Sequence, residues 1–153
     1  MNAEKKSILI LEDDKVIIKS FKDILQSEGY SVDTAETGRE AIQKSKANFY
    51  NLVLLDIKLP EMEGTKLLTP MHETLPKMVK IMITGYPSLE NAVEALNMGA
   101  DAYIMKPVNP EKLLALIEEK LKKQSQAEKM TEEKVVDWVK TRASKIESED
   151  NQK

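Results

Sequence analysis

Ser7-Ile8-Leu9-Ile10-Leu11-Glu12-Asp13-Asp14 is an apolar run without alternation that ends in three consecutive acids. A strand with one wet face alternates polar and apolar side chains, so this run reads as a strand covered on both faces, as in a parallel sheet. Leu52 to Leu55, Lys80 to Ile83 and Ala102 to Met105 read the same way. Just past their ends stand Asp56, Thr84 and Lys106, as Glu12 and Asp13 stand past the end of the first.

Helical patterns fill the intervals. Val16, Ile17, Phe21, Ile24 and Leu25 recur at helical spacing as far as Gly29, a helix-terminating residue. Tyr30 to Ala35 alternates, which predicts an edge strand with a wetter face. Thr37 with Glu40 is a capping-box signature for a helix through about Ala47. After Asp56, Lys58 to Gly64 reads as a loop, and a third helix from near Thr65 is expected to kink or break at Pro70. Ser88 caps a fourth helix that stops at Gly99. Asn109 and Pro110 open a fifth, carrying Leu113, Leu114, Leu116, Ile117 and Leu121.

Strands alternating with helices imply parallel pairing through right-handed crossovers. The second strand is the most polar and belongs at an edge. The expected fold is therefore α/β, a flavodoxin-like doubly wound (βα)5 unit with a five-stranded parallel sheet in the order 2-1-3-4-5, followed by a C-terminal helical or flexible tail. In that order the first and third strands are central neighbours, and their acids converge where ligands bind in open α/β sheets.

The chain of 153 residues, 41% hydrophobic and 32% charged, suits one compact domain with an appendage. The expected division is 1–123 for the domain and 124–153 for a charged extension, partly helical or disordered. The net charge of -3 and pI of about 5.4 argue against direct nucleic-acid binding. Without cysteine there is no disulfide, thiolate metal site or thiol nucleophile. The charged Met1 to Lys6 segment precedes only five residues of apolar run, too few for a signal peptide or membrane span, so a cytoplasmic location without membrane insertion is expected.

Carboxylates gathered at one sheet edge repel each other unless a cation neutralises them. A hard, oxygen-liganded ion such as Mg2+ fits: Asp13 and Asp56 as direct ligands, Glu12 through water, and the backbone carbonyl of Lys58 as a further oxygen. Asp56 then becomes a candidate nucleophile for phosphoryl transfer, with Lys106 supplying positive charge and Thr84 a hydrogen bond. Lys106 before Pro107 reads as a rigid turn, a cis peptide being one way to aim the ammonium into the site. Asp14 reads as a helix cap. Lone His72 reads as a surface residue, and Met62, Met71, Met78, Met82, Met98 and Met105 as core or loop filler.

Ser7 to Asp14, Leu54-Leu55-Asp56-Ile57-Lys58-Leu59-Pro60, Ile83-Thr84-Gly85 and Ala102-Tyr103-Ile104-Met105-Lys106-Pro107 together resemble the response-regulator receiver domain of two-component signalling. The resemblance covers roughly residues 5 to 123, and its segments fall in order at matching spacing, like a stand-alone chemotaxis-type receiver. It implies that Asp56 accepts phosphoryl from a sensor histidine kinase or phosphotransfer protein, with Glu12 and Asp13 as the acidic pair. It implies too that Thr84 moves toward the phosphoryl group while Tyr103 swings inward behind it. The face of the fourth helix, fifth strand and fifth helix then changes to bind or release a downstream protein target, or forms a homodimer. Lys58 and Tyr86 occupy positions that in receivers tune dephosphorylation. A long lysine and a bulky tyrosine there would shield the acyl phosphate.

On this reading the chain is a switch that catalyses only its own phosphorylation and dephosphorylation, not a turnover enzyme. The alternative is a metal-dependent phosphohydrolase with an aspartyl-phosphate intermediate. Such enzymes carry a second aspartate two residues after the nucleophile, and here that position is Lys58. A flavodoxin-type cofactor binder needs a phosphate cradle after the first strand, where Glu12, Asp13 and Asp14 would repel phosphate. In the tail, Val135, Trp138, Val139, Arg142 and Ile146 share one helical face. Solvated extension, partner docking through Trp138 and a coiled extension supporting dimers are the three readings of it.

Overall fold

Apolar strand residues on one side of the sheet enter one cluster, and their neighbours in sequence enter another. In the computed structural model, which describes residues 5–56, 77–85, 89–97 and 99–150, Leu9, Leu11, Val53, Leu55 and Met82 join one cluster. Ile8, Ile10, Leu52, Leu54 and Ile81 join the other. Two covered faces explain why the strands lack alternation. Burying each large apolar side chain contributes about 1.5–3 kcal/mol relative to exposure.

The strands are β1 (Ser7–Leu11), β2 (Ser31–Ala35), β3 (Leu52–Asp56), β4 (Val79–Thr84) and β5 (Ala102–Met105). All neighbours pair in parallel, in the order β2-β1-β3-β4-β5. Ile10 lies beside Leu54, Leu54 beside Ile81 and Ile81 beside Ala102, so one apolar layer runs across four strands. The ladder carries β3 and β4 one residue past their apolar runs, through Asp56 and Thr84.

The described helices are α1 (Lys15–Ser27), α2 (Gly38–Ala47), α3 (Leu89–Asn97) and α4 (Pro110–Asp150). They correspond to the first, second, fourth and fifth helices expected from sequence. The expected third helix, with Met71 and His72, and the loop before it, with Met62, lie outside the described residues, as do Met98 and the Ser88 cap.

The starts and stops follow local chemistry. Asp14 Oδ1 accepts from the amides of Val16 and Ile17 at 2.9 and 3.3 Å, capping α1. Asn109 Oδ1 caps α4 in the same way, accepting from Glu111 and Lys112. Thr37 Oγ1 accepts from the Glu40 amide at 3.1 Å, but Glu40 reaches back to the amide of Glu36 rather than to the cap residue. Gly29 and Gly99, at φ 92° and 107°, take the left-handed conformation that ends the preceding helices.

At the β2 edge a polar network ties strand to helix. Asp33 Oδ1 accepts from the Thr34 amide at 2.8 Å and from Lys44 Nζ at 3.1 Å, and the Tyr50 hydroxyl donates to Asp33 Oδ2 at 2.5 Å. Lys44 Nζ also donates to the Thr34 carbonyl at 2.5 Å and pairs with Glu40 at 3.2 Å. In the core, Met78 and Met82 are buried as expected, whereas Met105 is exposed because β5 is the other edge.

Two compact units divide after Leu121. The first holds the sheet and both apolar clusters. The second is helical as far as Asp150: Gln124-Ser125-Gln126 interrupts the apolar pattern but contains neither Gly nor Pro, and α4 continues through it. Among the described residues no helix is long and apolar enough to cross a membrane.

Candidate functional site

The C-terminal ends of β1 and β3 are adjacent, and the first residues past or at those ends are acidic. Glu12 is buried, anchored by its amide donating to the Ala35 carbonyl at 3.2 Å, and its Oε1 accepts from the Asp14 amide at 3.4 Å. Asp13 is exposed. Asp56, the last residue of β3, keeps only 9% of its side chain exposed. One oxygen from each of Glu12, Asp13 and Asp56 lies within 4.8 Å of the others.

Lys106 joins them from beyond β5. Its Nζ donates to Asp56 Oδ2 at 3.1 Å and to Glu12 Oε2 at 3.2 Å. Its amide donates to the Thr84 carbonyl at 2.7 Å, which ties the ends of β4 and β5. The Lys106–Pro107 peptide is cis. These side chains line a cleft of about 450 Å³ together with Asp14, Ile17 and Gly85.

Electrostatics follow from that crowding. Burial, then the hydrogen bond and charge of Asp56, push the Glu12 carboxyl up to about 7 against the opposing pull of Lys106. Burial works against the Lys106 ammonium, but Asp56 and then Glu12 outweigh it and raise its pKa. One ammonium between two buried acids leaves the site short of positive charge. Three carboxylates with no nitrogen or sulfur donor suit a hard divalent cation, so the residues present fit Mg2+.

Thr84 is buried at the end of β4 and is not part of the cleft lining; its neighbour Gly85 is. Tyr103 on β5 is half-buried against the cluster of Leu9 and Leu55, and its hydroxyl is buried without a hydrogen-bond partner among the described residues. Lys58 and Tyr86 lie outside the described residues. Sequence reasoning passed over Ile17 as a cleft residue; its signal was a place in the first turn of α1, directly after the acids.

A model of the response regulator receiver domain matches residues 8–118. This chain belongs to that family. Receiver domains are the phosphorylation-dependent switches of two-component systems, and nothing favours the phosphohydrolase alternative. The cell cycle response regulator CtrA of Brucella ovis is 34% identical over 110 residues, covering 72% of this chain and 47% of that protein. The chain thus spans about half the length of the curated relatives it matches. The crystal structure of a CheY-like receiver domain protein from Methanospirillum hungatei JF-1 is 56% identical with a TM-score of 0.78, covering 81% of this chain and 99% of that one. A Burkholderia pseudomallei response regulator, solved with a phosphorylated aspartic acid, calcium ion and citrate, is 30% identical with a TM-score of 0.71, covering 82% of this chain and 73% of that one.

Proposed function

We propose that Asp56 is the phosphoacceptor of this receiver and that phosphorylation changes a protein-binding face. The observation that carries this reading is the position of the Asp56 carboxylate. It sits at the end of a central strand, 3.1 Å from Lys106 Nζ and beside the carboxylates of Glu12 and Asp13. In the transfer, an Asp56 oxygen bonds to the phosphorus of a phosphohistidine on a sensor kinase or phosphotransfer protein, and the phosphorus–nitrogen bond breaks. Lys106 neutralises charge on the incoming group and orients Asp56. Glu12, Asp13, Asp56 and the Lys58 carbonyl would hold Mg2+, which supplies the remaining positive charge at the phosphoryl oxygens.

Afterwards the site carries about -1.5 to -2 of added charge and strong acceptor oxygens. The Thr84 hydroxyl moves toward them and Tyr103 takes the space it leaves. A buried hydroxyl without a partner costs free energy, which supports Tyr103 as a side chain with a second position. The face of α3, β5 and the first turns of α4 then binds or releases a target protein, or pairs two copies. Residues 1–123 act as the receiver, residues 124–153 as its extension, and the working compartment is the cytoplasm. Lys58 and Tyr86 set the lifetime of the acyl phosphate.

The test is incubation with Mg2+ and a small phosphodonor. Intact mass should rise by one phosphoryl group in the native chain and stay unchanged in Asp56→Ala. Labelling that persists in Asp56→Ala would assign the acceptor elsewhere.

A further inference from the structure

Every side chain from residue 126 to residue 143 on α4 is exposed. Helices in proteins owe most of their stability to burying an amphipathic face, and here such a face is uncovered. Val135, Trp138 and Val139, at 56%, 60% and 53% exposure, fall at i, i+3 and i+4. Arg142 extends the row, its guanidinium 5.1 Å from the centre of the Trp138 ring. One and two turns before Val135 the same face carries Thr131 and Glu128, flanked by Glu132. Read from Glu128 to Arg142, the row is acidic, then apolar, then basic.

That polarity is complementary to its own reverse. A parallel second copy would set Glu128 against Glu128 and Arg142 against Arg142. An antiparallel copy sets the acidic end of each row against the basic end of the other. Glu133 and Asp137 share the opposite face with Lys129 and Lys140, a mixture that does not favour an anionic lipid surface.

We propose that a second copy of this chain covers this row, the two helices running antiparallel, with Val135 of each against Trp138 of the other and Glu132 of each near Arg142 of the other. The pairing does not depend on the phosphoacceptor role of Asp56, and Asp56→Ala retains it.

Sedimentation velocity of the full chain from micromolar to millimolar concentration should show a reversible monomer–dimer equilibrium. Trp138→Ala should raise its dissociation constant at least about tenfold. Glu132→Arg should also weaken it, and adding Arg142→Glu should restore it. Circular dichroism on each variant separates lost pairing from lost helix. Because the chain has no cysteine, orientation can be read by oxidation: Thr131→Cys mixed with Arg142→Cys should form a mixed disulfide, and Thr131→Cys alone should not. A monomer at all concentrations overturns the proposal. So does a dimer insensitive to Trp138→Ala, a dominant Thr131→Cys self-disulfide, or a monomer that instead binds anionic vesicles through Trp138.

Discussion

Lys106 Nζ stands 3.1 Å from Asp56 Oδ2 although the two residues are fifty positions apart in sequence, and the same ammonium serves Glu12 at 3.2 Å. It is a shared counter-ion for two acids on neighbouring strand ends, so its removal acts on both.

Lys106→Ala should therefore destabilise the metal-free chain by about 2 kcal/mol, less than for a fully enclosed pair because water reaches part of the lysine. Urea unfolding with and without Mg2+ measures this. The loss should shrink when Mg2+ is present, since a bound cation replaces the missing charge. An equal loss in both conditions would argue against a common role for the lysine and the cation.

Glu12 gives the pH dependence its sign. Its carboxyl rises from 4.5 to about 7 on folding, so between those values the native chain binds more protons than the unfolded one. Stability of the metal-free chain should therefore fall as pH rises from 4.5 to 7 and level off above. Mg2+ affinity should run the opposite way, rising with pH through about 7. Asp56→Asn removes the second cause of the shift, and NMR titration should find Glu12 lower in that variant, with burial still holding it above its ordinary value.

Tyr50→Phe removes the hydroxyl that donates to Asp33 Oδ2. Burial opposes the Asp33 charge, but Tyr50, Lys44 and the Thr34 amide outweigh it and lower its pKa below 3.8. A lowered acid contributes stability that is present above its unfolded pKa and lost as pH falls through its folded one. Tyr50→Phe should cost about 1 kcal/mol at neutral pH. Thermal melts should show the gap narrowing below pH 3.8.

Lys80 is 0% exposed on β4, and burial is the first cause of its lowered pKa, with Asp101 opposing and Lys77 adding to it. Lys80→Met should be neutral or stabilising by about 1 kcal/mol, because a buried charge yields to a side chain of similar volume. Asp101 is exposed and water can solvate it. A large loss on denaturation would mean that the polar partner of Lys80 outweighs its desolvation.

The strand order and the strand-end acids were legible because burial on both faces writes itself into contiguous apolar runs. The caps were legible because Asp14 and Asn109 act within three residues of themselves. Lys80 was read as the start of an apolar run, which placed the strand but hid a charge inside the core. The Asp33, Lys44 and Tyr50 network joins residues eleven and seventeen positions apart, and no local period announces it. Met105 looked like filler, yet an edge strand gives it nothing to fill. The change of composition at Gln124 marked the start of an extension read as partly helical or disordered, whereas helix continuity asks only for residues that tolerate the conformation, and α4 runs on through it.

In β2 the Ser31 amide and the Ala35 carbonyl turn inward, to Lys6 and Glu12, so by the alternation of a parallel strand Thr34 presents its own pair outward. Those outward groups are already taken: Asp33 accepts the Thr34 amide and Lys44 fills its carbonyl. At Thr34 a foreign strand approaching this flank meets a charged side chain and a backbone pair already bonded rather than a template. Strand addition on that side is thus interrupted within the edge, and crowding such chains together should seed fibrils from it less readily than an edge without this block.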